Sequence, residues 1–338
     1  MDAKKYALVD IHLHLDGSLT VDDVRRMAEM SGEALPADDE QLRQALQCPP
    51  SCGSLGEYLR CFELPIALMQ RPEAIELAAK NLVCRLDGQG LLYAEVKVGL
   101  QLLTHRGMTQ EQVVESALKG LRDGMEACCH RFRANLVLGC MRGDGNEREN
   151  IETVLLAKQF LGRGVCAVDL VGDEARYPTR NFSDVFSRAA RLGVPISIHA
   201  GEARGVDSIM EALDMGATMI GHGIQAHNDE AMLRLLCDRD VCLTFCPTSN
   251  FDTRVLPVRD YARYPIRPFL EHGVAVCINT DNMTVSRTTL RDEIARLAAA
   301  GVVAEDDLKK MTFDAITHSF ASEALKQELL RLAAARMA

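Results

Sequence analysis

No apolar run in the 338 residues approaches the roughly 20 residues that a membrane-spanning helix needs. There is also no C-x-x-C pair among the 12 cysteines, which counts against reading them as a disulfide framework. Positive charge is short: 38 Lys and Arg stand against 48 Asp and Glu, for a net charge of −10. A phosphate backbone or an anionic membrane surface recruits clustered Lys and Arg, so nucleic acid and membrane are not expected as partners. Two nucleotide signatures are missing as well: no G-x-G-x-x-G follows the first strand-like run, and G-x-x-x-x-G-K-[ST] is absent.

What is present describes a folded enzyme-sized chain. At 47% hydrophobic and 25% charged residues, it is too apolar to be disordered. Cys140, Cys166, Cys242 and Cys277 fall inside apolar runs, which suits buried reduced thiols better than disulfides. Asp10 and His12 arrive before a signal-peptide apolar core develops, so a cytoplasmic location is expected.

Eight short strand-like runs recur: Ala7–Leu13, Leu91–Val98, Asn135–Met141, Val165–Leu170, Val194–His199, Ala217–Ile220, Val241–Phe245 and Val274–Ile278. Their near-continuous Val, Leu, Ile, Ala and Cys is the pattern of parallel strands covered on both faces. Helical segments alternate with them. Thr20 is placed to cap one, Pro72 fits the first turn of another, and Thr109 with Gln112 resembles a capping box. Further helices are expected over Glu149–Leu161, Ser183–Leu192, Asp207–Asp214, Asp229–Asp238, Ile266–His272 and Thr289–Ala300. Eight such units point to an α/β fold, a (β/α)₈ TIM barrel, with an open doubly wound sheet as the alternative. The barrel is expected to form one domain over 1–338, with a helical insertion at 31–70 walling or covering the site and C-terminal helices at 303–338.

Four of the nine histidines lie at or just past expected strand ends: His12 and His14, His199, and His222. In a barrel those ends meet at one mouth, where this fold carries its chemistry. His12 and His14 are two apart and so share a face of their strand. His199 and Asp281 complete a first shell of a type that zinc accepts while keeping a place for water. Taken alone, H-x-H also suits hydrogen-bonded core histidines; its register with the other residues favours metal. Glu202, three residues after His199, reads as a proton shuttle whose pKa burial raises, or as a carboxylate favoured by a helix start. His222, between two glycines, is placed to orient or deprotonate the attacking water, or else is a satisfied core histidine.

The runs Asp10-Ile11-His12-Leu13-His14-Leu15-Asp16-Gly17-Ser18, His199-Ala200-Gly201-Glu202, Gly221-His222-Gly223 and Asn279-Thr280-Asp281 resemble adenosine deaminases in content and order. Ser54-Leu55-Gly56-Glu57-Tyr58-Leu59 is similar to that family's substrate-gating segment, and Asp169-Leu170-Val171-Gly172-Asp173-Glu174 extends the likeness to nearly the whole chain. The resemblance implies one Zn²⁺ per chain on His12, His14, His199 and Asp281. It implies a small purine nucleoside as substrate, with adenosine or 2′-deoxyadenosine converted to the inosine product and ammonia. Glu202 would protonate N1 as hydroxide attacks C6, His222 would steer the hydroxide, and Asp281 would serve catalysis as well as the metal. His14, Asp16, Gly172 and Asn282 would face the substrate, Asp16 at the 5′-hydroxyl and the Gly172 N–H at N3. At N7 the family usually has a second Asp, whereas this chain has Asn282. An acid must be protonated to donate there; a carboxamide donates at any pH.

Competing readings remain at this stage. Adenine, N6-methyl-adenosine monophosphate and aminodeoxyfutalosine are alternative substrates, and Arg142 and Arg176 are candidate phosphate partners. A metal-dependent amide or phosphoester hydrolase is a second class, in which Asp169 would bridge two ions. A barrel kept only as a binding protein predicts an eroded site, yet every catalytic residue type is present. The cytidine-deaminase type is excluded because H-x-E and P-C-x-x-C are both missing. Cys246, with no base assigned to it, reads as part of a mouth loop and not as a nucleophile. Oligomeric state is not legible.

Overall fold

The computed structural model describes residues 6–128 and 132–337. Eight parallel strands run in chain order: β1 (Leu8–His14), β2 (Leu91–Gly99), β3 (Arg133–Met141), β4 (Val165–Val171), β5 (Ser197–Ala200), β6 (Met219–His222), β7 (Cys242–Phe245) and β8 (Ala275–Ile278). They hydrogen-bond as two four-stranded sheets, β1-β2-β3-β4 and β5-β6-β7-β8. Single parallel bridges join the sheets at both seams, Val168 to Ile196 and Leu13 to Asp281. The ring is thus carried round as the (β/α)₈ pattern requires, with helices outside it.

The expected strands appear with small shifts, the largest at the fifth. Pro195 has no N–H to give a ladder, so regular pairing starts only at Ser197. The Pro195 carbonyl still accepts from the Val168 amide at 3.0 Å and holds the seam.

The helix ends follow their capping chemistry. Thr20 caps Val21–Ser31 in a reciprocal box with Asp23, and Thr109 with Gln112 does the same for Gln110–Ala127. Helices Pro72–Gly88 and Gln110–Ala127 pack closely because Gly120 and Gly124 face the first of them. A Cβ on Gly120 would lie 2.7 Å from Ala79 Cβ, and one on Gly124 2.7 Å from Val83 Cβ.

Within segment 31–70 the α-helices are Asp39–Leu46, Leu55–Tyr58 and Glu63–Leu68. Two contacts tie it to the loop after β8: the Cys48 amide donates to the Val285 carbonyl at 2.9 Å, and Tyr58 and Ser286 share a hydroxyl hydrogen bond of 2.8 Å. At the chain's other end, helices Glu305–His318 and Glu323–Met337 pack on the barrel floor through Ala315, Ile316, Leu329 and Ala333. The Phe320 amide reaches the buried carboxylate of Glu95 on β2 at 2.5 Å. No helix among the described residues is long and apolar enough to cross a membrane.

Candidate active site

The strand ends bring His12, His14, His199 and Asp281 together: one ligand-type atom from each lies within 4.8 Å of all the others. Asp281 Oδ1 is 3.5 Å from His12 Nε2 and 3.3 Å from His14 Nε2. His14 Nε2 and His199 Nε2 are 3.3 Å apart. His12 is fully buried, and its Nε2 has no hydrogen-bond partner. Such an orphan costs free energy unless something else satisfies it. Three imidazole nitrogens and one carboxylate oxygen converging on a point suit a divalent ion of zinc's kind.

Three of the four side chains are held from behind. Thr244 on β7 donates to the Ile220 carbonyl at 3.3 Å, so its Oγ1, 2.7 Å from His12 Nδ1, accepts the ring's N–H. That tautomer leaves Nε2 with a lone pair facing the cluster. Asp169 Oδ2 lies 3.1 Å from His199 Nδ1 and also pairs with the buried ammonium of Lys97. Ser249 donates to Asp281 Oδ2 at 2.6 Å, leaving Oδ1 for the cluster. Burial alone raises the Asp281 carboxyl, yet the facing imidazoles of His12 and His14 bring it well below the usual range. Burial lowers His14 to about 3 and His12 well below its ordinary value, so both rings are neutral at pH 7, the form that binds metal.

Two of the gathered residues sit in the left-handed region, His222 at φ 63° and Asp281 at φ 59°. Non-glycine residues there are held against local preference by their surroundings, and such residues cluster at functional sites.

Glu202 is buried 3.7 Å from His222, measured Oε2 to Nε2. Burial first, and then the charge of Asp281, push its carboxyl up to about 8, so it holds a proton at pH 7. His222 Nδ1 receives the Asn250 amide at 3.2 Å, while Tyr264 donates to Asn250 Oδ1 at 2.9 Å. In this arrangement the neutral ring carries its proton on Nε2, on the Glu202 side.

A cavity of about 290 Å³ opens over these groups, near the lower end of the usual size for small-molecule pockets. The insertion walls it with Leu55, Tyr58, Leu59, Phe62 and Ile66. Asp16, Gly172 and Asn282 also line it, together with His14, His199, Glu202, His222 and Asp281, whereas His12 is not part of the lining. Burial raises Asp16 to about 6. Asn282 packs against Gly17, where a Cβ would come within 2.7 Å of the Asn282 Cβ; its own Oδ1 is buried without a partner.

Of the two candidate phosphate partners, one lines the cavity and the other does not. Arg142 lines the cavity but gives its terminal nitrogens to the Tyr177 carbonyl (2.6 Å), Thr179 Oγ1 (2.9 Å) and the His199 carbonyl (2.5 Å). Arg176 is exposed, stacks on Tyr177 and is outside the cavity lining. Asp169, considered as a bridge between two ions, is neutralised by Lys97 and stands behind His199. Cys246 is buried with its thiol pushed well above the ordinary value, mainly by burial, which suits a loop residue.

Sequence reasoning did not identify Thr244, Ser249, Asn250, Lys97 or Glu174. Glu174 closes the quoted run Asp169–Glu174, and Ser249 and Asn250 follow Cys246 in the loop past β7, but none of them carried an assigned role.

The family model described as adenosine deaminase matches residues 7–335. An adenosine deaminase of Haemophilus ducreyi is 44% identical over 330 residues, covering 96% of this chain and 95% of that one. One from Enterococcus faecalis is 36% identical over 315 residues, covering 93% and 92%. Among solved structures, the adenine deaminase of Arthrobacter aurescens superposes with a TM-score of 0.86 at 26% identity, covering 98% of each chain. The Arabidopsis N6-mAMP deaminase, at 21% identity, shares the fold with a TM-score of 0.85 over 98% of this chain and 99% of its own. With the family model matched almost end to end over a barrel whose strand ends gather these side chains, the chain belongs to the adenosine deaminase family.

Proposed function

We propose that this chain is a zinc-dependent adenosine deaminase, a single barrel domain over residues 1–338 that converts adenosine or 2′-deoxyadenosine to the inosine product and ammonia. The observation that carries this reading is the convergence of His12, His14, His199 and Asp281 beside the buried carboxyl of Glu202. Those four residues would hold one zinc ion, which when bound supplies Lewis acidity and brings water's ionisation toward neutral pH.

The rest belongs to the protein's own side chains. Addition of water at C6 sends electrons into the ring, and Glu202 delivers its proton to N1 as they arrive. His222, with its proton on Nε2, orients the incoming oxygen. Asp16 accepts from the 5′-hydroxyl, the Gly172 N–H meets N3, and the Asn282 amide donates to N7. The insertion's apolar wall excludes bulk water from the reacting face. The carboxylate left on Glu202 takes up one proton of the added water, and passage of the remaining hydroxyl proton to the C6 amino group releases ammonia and leaves C6=O.

Arg142 favours a nucleoside over a nucleotide. Among the described residues lining the cavity it is the one guanidinium or ammonium, and protein acceptors already occupy its terminal nitrogens. Its Nε–H is without a protein partner but buried, so a phosphate would find little of this group left to receive it. Every described cysteine is a free thiol, which supports a cytoplasmic setting.

The test is zinc analysis of the purified protein alongside ammonia release from adenosine, 2′-deoxyadenosine, adenine and adenosine monophosphate. One zinc per chain and preferred turnover of the nucleosides are expected. Faster turnover of adenine or the monophosphate, or full activity after metal removal, would overturn the reading.

A further inference from the structure

The end of β5 and the loop after it carry two groups of the proposed reaction within four residues, His199 and Glu202. Its turn needs Gly201 in the left-handed region, φ 66°, and leaves a run of backbone amides without partners in a strand or helix. Those amides converge on one side chain. Glu174, fully buried after β4, receives the Gly201 amide on Oε1 at 2.8 Å. Its Oε2 receives the amides of Glu202, Ala203 and Arg204 at 3.0, 2.6 and 3.1 Å. Ser208 adds its hydroxyl to Oε1 at 2.5 Å. A carboxylate offers about four lone-pair sites, so this one is saturated.

Capping of the following helix does not account for the arrangement. That helix runs over Val206–Asp214, and the amides Glu174 takes all precede it. The same network reaches the loop's other end. Ser208 and Thr179 share a hydroxyl hydrogen bond of 2.8 Å, and Arg142 Nη2 binds both Thr179 Oγ1 at 2.9 Å and the His199 carbonyl at 2.5 Å. The segment from His199 to Arg204 is therefore gripped by its first carbonyl on one side and by four successive amides on the other.

We infer that Glu174 is a positioning residue for turnover: it holds the 201–204 turn so that the Glu202 carboxyl faces the reacting ring, while Arg142 fixes the His199 end. This rests on Glu202 being the proton donor proposed above. Displacing a reacting group by about 1 Å costs on the order of 100-fold in rate. Glu174 touches neither substrate nor metal ligand side chains, so its effect belongs in kcat and runs through Glu202.

The experiment compares wild type, Glu174→Gln, Ser208→Ala, Glu202→Gln and the Glu174→Gln/Glu202→Gln double variant in steady-state ammonia release from adenosine. An amide in place of the carboxylate keeps one acceptor oxygen and turns an NH₂ toward the amides. The expected result for Glu174→Gln is a kcat about 10- to 100-fold lower, with KM within about threefold of wild type. Ser208→Ala lowers kcat less, again with KM steady. In the Glu202→Gln background, loss of Glu174 adds no further decrease. The inference is overturned if Glu174→Gln and Ser208→Ala both keep kcat within about twofold, if the loss appears in KM, or if it recurs in full in the Glu202→Gln background. Should Glu174→Gln fail to fold, Ser208→Ala decides by the same kcat-against-KM criterion. Wild type that releases no ammonia from adenosine defeats the functional reading itself, a separate outcome from any of these.

Discussion

Thr244 Oγ1 lies 2.7 Å from His12 Nδ1, and because the hydroxyl is itself directed at the Ile220 carbonyl, it fixes which nitrogen of His12 faces the cluster. Removing that hydroxyl without changing shape, in Thr244→Val, frees the ring to swap tautomers. Groups placed behind a metal ligand in this way are worth about 10- to 100-fold in metal affinity. Competition with a chelator should show zinc held that much more weakly in the variant. An unchanged zinc affinity would remove Thr244 from this role.

With Glu202 as the proposed proton donor, activity belongs to its protonated form and is expected to decline as pH rises through its ionisation. Burial and Asp281 put that ionisation at about 8. A divalent cation beside Asp281 offsets the carboxylate's contribution and draws the value down. The alkaline limb of kcat/KM is therefore expected at or below about pH 8. Glu202→Gln has no proton to give and should lose about 10²- to 10⁴-fold in kcat. Its residual rate should lack this limb; the same limb persisting in the variant would assign it to another group.

Asn282 offers a donor whose strength does not depend on pH, where a carboxylic acid would donate only when protonated. Asn282→Asp should therefore gain a pH dependence: kcat/KM for adenosine falls by about tenfold once the new acid ionises, the worth of one hydrogen bond of roughly 1.5 kcal/mol. Parallel pH profiles for the two proteins measure this. Superimposable curves would mean that the residue does not donate to the ring.

Gly120 tests packing away from the site. Alanine there gains about 0.5–1 kcal/mol of helix propensity, but its Cβ would press on the backbone carbonyl of Glu76 and lie 2.7 Å from Ala79 Cβ. Overpacking of this kind costs about 1–3 kcal/mol, so Gly120→Ala should lower the midpoint of denaturant unfolding with kcat unaltered. A midpoint at or above wild type would show that the two helices separate without penalty.

The same contrast explains what could be read from the amino-acid order. His12 and His14 were legible because spacing of two on a strand is a local rule, and the barrel places every strand end at one mouth. The strands were legible as apolar runs between caps, except where Pro195 delayed the fifth. The supporting groups follow no local rule. Thr244 is separated from His12 by 232 positions, and Lys97 reads as an interruption in an apolar strand until Asp169 is seen beside it. Glu174 stood inside a recognised run, yet nothing along the chain tells that four amides 27 to 30 positions later will turn toward it.

Asp281 has a double position: its amide receives support from the His12 carbonyl at 2.9 Å, its own carbonyl accepts from the His14 amide at 2.7 Å, and its side chain faces both imidazoles. The eighth staff of the barrel is thus hooped to the first at the very residue that offers an oxygen to the cluster. An ion captured there pulls on a joint that spans almost the full length of the polypeptide. By linkage, whatever tightens the joint tightens the hold on the ion, and stripping the ion slackens the joint.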